Sequence, residues 1–102
     1  MARRGYIVVT LRIGREEGQW VGECPELGTA TCADSLEEAF ERLREAILLH
    51  LNTLEEVGEC HRFLEENDIK FYRARPREAT ISQPALLEEN VFINERVVPV
   101  AC

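Results

Sequence analysis

Residues 20–58, WVGECPELGTATCADSLEEAFERLREAILLHLNTLEEVG, restrict the fold more than any other part of the chain. Ser35 followed by Glu38 forms a capping box, in which each side chain reaches the other's backbone N–H, and Asp34 and Glu37 favour the positive end of the helix that starts there. Leu36, Ala39, Phe40, Leu43, Ala46, Ile47, Leu51 and Leu54 then recur every three or four residues, a stripe that has to be buried against another layer. Gly58 ends the helix at the position where a left-handed backbone is needed. A second short helix is expected over about 59–67, with Phe63 and Leu64 as its apolar contribution.

Strands supply the other layer. Over 6–13, Ile7, Val9, Leu11 and Ile13 alternate with Tyr6, Val8, Thr10 and Arg12, the period of a half-buried strand. Gly14 to Gly18 reads as a hairpin connection, 19–24 as the returning strand, 25–28 as a turn, and 29–33 as a third strand. Ile69 and Phe71 suggest a fourth over 69–72. The expected class is α+β with the order β-β-β-α-(α)-β. The domain is expected to span 1–72, leaving 73–102 as a C-terminal extension. Within that extension 91–100 is apolar and β-prone, and Val91, Phe92, Ile93, Val97 and Val98 are candidates for a strand exchanged between subunits of a homo-oligomer.

Length and charge narrow the function. A chain of 102 residues holds one small core, and no apolar run approaches the roughly 20 residues that cross a bilayer. The basic start of the chain leads into a strand, not the apolar stretch of a secretory signal, so a cytoplasmic location is expected. A net charge of −7 repels phosphate backbones and favours a basic protein partner over direct nucleic-acid binding. Arg73, Arg75 and Arg77 are the local contrast.

Catalytic signals are sparse. Glutamate pairs such as Glu37–Glu38 and Glu65–Glu66 project about 100° apart on a helix and do not converge on one reacting atom. No Gly-rich phosphate loop or nucleophile elbow is present. Cys24, Cys32, Cys60 and Cys102 lack metal-binding or redox spacing and read as reduced apolar side chains, with Cys102 an exposed thiol. A metal site at Cys60, His61 and His50 is the sharper alternative; His50 reads otherwise as a satisfied boundary group. No enzyme activity, cofactor or metal is expected.

The strand from Tyr6, the run Gly-Gln-Trp-Val-Gly-Glu-Cys-Pro-Glu-Leu at 18–27, and Asp34-Ser35-Leu36-Glu37-Glu38-Ala39 heading a helix that closes on Leu54-Glu55-Glu56-Val57-Gly58 together resemble the HicB-like antitoxin family. The resemblance covers about residues 6–58. It implies a partial ribonuclease H-like fold without catalytic carboxylates, assembly into homodimers or larger homo-oligomers, and neutralisation of HicA, a small basic RNA-cleaving toxin. The family's Leu-Pro-Gly segment is shortened here to Leu27-Gly28. Pro76, Pro84 and Pro99 fit neither of the DNA-binding modules that many members carry at the C-terminus. Toxin contact is expected at Trp20, Glu23, Pro25, Glu26 and Leu27, an aromatic anchor beside acidic groups and a turn. An orphan homologue without a toxin is the alternative.

Overall fold

The computed structural model describes residues 3–76, 85–88 and 91–102. Its elements are β1 (Arg4–Glu16), β2 (Gln19–Cys24), β3 (Thr29–Ala33), α1 (Leu36–Glu56), α2 (Cys60–Glu66), β4 (Ala85–Glu88) and β5 (Val91–Ala101). The strands form one antiparallel sheet in the order β3-β2-β1-β5-β4, with both helices packed on one face. The class is α+β, as expected.

Strand β1 is the centre. Its odd-numbered residues Ile7, Val9, Leu11 and Ile13 are fully buried against the helices, and its even-numbered ones face the other side of the sheet. The first hairpin is tighter than expected: pairing continues to Glu16↔Gln19, and Glu17 and Gly18 alone make the turn. Both have positive φ, 47° and 82°, the two-residue turn whose twist matches that of the strands.

Helix α1 begins at the expected N-cap, with Ser35 Oγ accepting the Glu38 N–H at 3.2 Å, but the box is not reciprocal, because the Glu38 carboxylate pairs with Arg42. Ala39, Leu43, Ile47 and Leu51 form its buried row. Its end is a Schellman motif: the Gly58 N–H donates to the Glu55 carbonyl and the Glu59 N–H to the Leu54 carbonyl, with Gly58 at φ 73°. α2 ends in the same way around Asp68, and the following Ile69 packs into the core beside Leu64.

Four expectations differ from the structure. Residues 69–72 do not form a strand; Tyr72 makes a single bridge with Tyr6, exchanging N–H···O bonds of 2.7 and 2.8 Å. The last strand is β5, which pairs with β1 of its own chain from Arg4↔Ala101 to Gly14↔Val91. Val98 and Val100 are core residues, so the fold does not end near residue 72, and β5 is not an intersubunit strand here. Finally, Cys102 is not a free thiol: it is disulfide-bonded to Cys60, joining the end of β5 to α2.

A Cβ at Gly5 would collide with the Phe71 ring and approach the Tyr72 carbonyl oxygen to 2.5 Å. Gly5→Ala should therefore lower the unfolding free energy by roughly 1–3 kcal/mol in urea titrations. The Cys60–Cys102 bond closes a loop of 42 residues, worth up to about 4 kcal/mol in the chain-entropy account. Of the remaining thiols, Cys32 is exposed, whereas burial pushes the Cys24 thiol up to about 11 and keeps it protonated at neutral pH. A thiol-reactive chromophore should thus count one fast cysteine in the native protein, two after denaturation and all four after reduction.

Candidate protein-interaction surface

The residues expected to meet a partner at 20–27 are mostly held by the protein itself. β2 pairs with β1 only from Arg12↔Glu23 upward, so below that point the β1 edge lacks a neighbouring strand. Glu26 fills the gap: its Oε1 accepts the Thr10 N–H at 2.9 Å and its Oε2 the Thr10 hydroxyl at 2.8 Å. The Cys24 thiol also donates to Oε1, at 3.7 Å. Glu23 pairs with Arg12 Nη1 at 2.8 Å. Leu27 is buried in the core.

Trp20 is half-buried on the helix face, with its ring 6.1 Å from that of Phe92 and the Arg15 guanidinium over it at 5.7 Å. Pro25 is exposed. The turn is therefore a brace for β1 more than a presented loop.

The residues expected to form an oligomer divide by register. Phe92 and Val98 face the helices with Ile13 and Ile7, their partners across the ladder. Val91, Ile93 and Val97 lie on the other face beside Gly14, Arg12 and Val8, and all three are half-buried.

The charge is concentrated on the helical layer. Residues 34–68 contain eleven acidic and three basic side chains, a net −8 against −7 for the whole chain. Arg42 is held by Glu38 at 2.5 Å and also donates to the Cys32 carbonyl of the edge strand β3. Arg62 sits between Glu59 and Glu66 at 3.6 and 2.9 Å. Glu37, Glu41, Glu45, Glu56 and Glu65 are exposed.

An apolar groove opens within this acidic layer. It has a volume of about 340 Å³ and is lined by Thr29 from β3 and by Ala46, Leu49, His50, Thr53 and Leu54 from α1. Leu49 is 69% exposed and the adjacent Leu48 37%. Thr29 Oγ1 and His50 Nε2, from residues that line it, are buried and have no hydrogen-bond partner among the described residues.

His50 touches the Phe63 ring at 5.3 Å and is thus a boundary group, but not a satisfied one. The alternative metal site does not assemble: the Cys60 sulfur is committed to Cys102, and His61 Nε2 faces Glu65 Oε1 at 2.9 Å on the helix surface.

The groove was missed from sequence, although Leu48 and Leu49 widen the apolar face of α1 beyond what one buried stripe requires. Comparison with protein-family models, with curated proteins and with solved structures finds no match.

The arrangement around Glu26 makes a testable distinction. Glu26→Ala leaves the Thr10 N–H without its acceptor and should destabilise the protein by about 1.5–3 kcal/mol, as expected for a hydrogen bond to a charged group. Unchanged urea unfolding would assign Glu26 to partner contact alone.

Proposed function

We propose that this chain is a non-catalytic, antitoxin-like module that binds and neutralises a small basic RNA-cleaving toxin of the HicA type. The observation that carries the reading is the acidic helical layer with an exposed apolar groove in its middle. Like-signed charge over one face steers a basic partner and sets its orientation, while a desolvated apolar centre supplies most of the affinity. Leu49, 69% exposed at the edge of the groove, is the anchor. Covering the toxin's basic surface would deny it RNA without any chemistry by this chain. The HicB-like residues at 18–27 and 34–58 support the same reading.

The interface proposed here is displaced from the 20–27 turn to the α1 face, because Glu23, Glu26 and Leu27 already have intramolecular partners. A second reading, an orphan HicB-like homo-oligomer, draws on the half-buried apolar side chains Val8, Ile93 and Val97 on the opposite sheet face.

The test is affinity capture from the native lysate at low and high salt, followed by purification of the partner and an RNA-cleavage assay. A small basic protein should co-elute, weaken with salt, and lose cleavage activity at stoichiometric addition of this chain. Leu49→Ala should weaken that pair roughly 5- to 30-fold, about 1–2 kcal/mol, without altering unfolding. Capture of the homo-oligomer alone would favour the orphan reading.

A further inference from the structure

The fold gathers positive charge at one end of an otherwise acidic molecule. The Tyr6↔Tyr72 bridge brings Arg3 and Arg4, at the start of β1, next to Lys70, Arg73 and Arg75, nearly seventy residues away in sequence. All five cations are exposed. Among the described residues, none of Arg3, Arg4, Lys70 and Arg73 takes part in an ion pair, whereas Arg12, Arg42 and Arg62 elsewhere are matched by glutamates.

Aromatic rings are interleaved with these cations. Lys70 Nζ lies 4.9 Å from the Tyr72 ring centre and the Arg75 guanidinium 5.8 Å from that of Tyr6; the Arg3 guanidinium lies 4.8 Å from the ring centre of Phe71, which packs on the helix side. Bridge partners in an antiparallel pair point to the same side, so Tyr6 and Tyr72 sit side by side on the face opposite the helices. Val8 and Val97 extend that platform along β1 and β5. Each cation lying over a ring gives up little further freedom on binding an anion, and half-buried rings offer surface for stacking.

We propose that this end of the sheet is a binding site for single-stranded nucleic acid, independent of the helical face assigned to the toxin. Phosphates pair with the cations and bases stack on the Tyr6–Tyr72 platform, the two components of sequence-tolerant single-strand recognition. A duplex would spread its charge over a wider footprint and meet the acidic helical layer, which reaches this end of the sheet with Glu55 at the Ala101 N–H. An acidic peptide would satisfy the cations but leave the platform unused.

The experiment is fluorescence anisotropy of the full chain with fluorescein-labelled ten-residue oligouridylate and oligothymidylate. Binding should saturate at 50 mM salt and weaken roughly 10- to 100-fold at 200 mM, as expected when three to five phosphates are neutralised (about −0.7 per phosphate in the log–log slope). Arg4→Glu/Arg73→Glu should abolish it, and Tyr72→Leu should weaken it about 5-fold or more by removing a stacking surface. Circular dichroism and urea unfolding of each variant verify that the fold is kept; the milder Arg4→Gln/Arg73→Gln pair serves if the charge reversal does not fold.

A difference between the RNA and DNA probes would tell whether the 2′-hydroxyl is read. Absence of binding at 50 mM salt, equal binding by the folded arginine variants, or displacement by polyglutamate as effective as by unlabelled oligonucleotide would each overturn the proposal.

Discussion

The structure depends on how both edges of β1 are satisfied. A central strand must find partners for every N–H and C=O that points sideways, because burial without them costs more than most single contacts return. On one side β5 provides them along an unbroken ladder from Arg4↔Ala101 to Gly14↔Val91. On the other side three unrelated devices work in succession. β2 covers Arg12 to Glu16, the Glu26 carboxylate meets Thr10, and the Tyr72 backbone closes on Tyr6. The turn at 25–28 and the chain after α2 are thus fixed by β1, which also explains why α2 must deliver the chain, through the Asp68 cap and buried Ile69, to that spot.

Local signals were legible in the sequence and distant ones were not. The N-cap at Ser35, the buried row from Ala39 to Leu51 and the glycine stop at Gly58 involve neighbours within a few residues, and the chain's own pattern encodes them. The pairing of β5 with β1 joins residues more than seventy positions apart, and an apolar run at 91–100 reads the same whether it completes its own sheet or a neighbour's. Alternation over 69–72 did not translate into a strand: Tyr72 makes one bridge with Tyr6, and Phe71 packs against Gly5. Glu26 shows the same limit for the candidate site: an acidic turn residue looks like a presented group until the missing stretch of β2 is seen beside it. Cys60 and Cys102, set 42 residues apart, offered no spacing to read.

The helical layer carries more acid than packing requires. α1 spends Glu38 on Arg42 and Glu55 on the Ala101 N–H at 2.8 Å, yet Glu37, Glu41, Glu45 and Glu56 remain exposed along the same helix. Like charges at such spacing oppose folding by a few tenths of a kcal/mol per pair. An exposed Leu48–Leu49 step in the midst of them is a further departure from a surface tuned for solubility alone. Leu49 lines the groove beside His50, where two buried polar atoms have no partner among the described residues.

Charge is segregated across the sheet. The helices place net −8 over one face, while the cations on the Tyr6–Tyr72 platform lie on the other. The packed core between them keeps ions from forming direct pairs, and at physiological salt the field of an exposed charge decays over about 8 Å. The cation end of the sheet therefore presents positive charge locally despite the acidic total, whereas Glu23, Glu26 and Glu95 lie farther along the same face. A basic protein held on α1 would reduce the net negative charge and so lower the long-range repulsion that the chain alone exerts on a phosphate backbone. Screening over about 8 Å keeps that effect small at physiological salt, so the two surfaces would bind their partners independently.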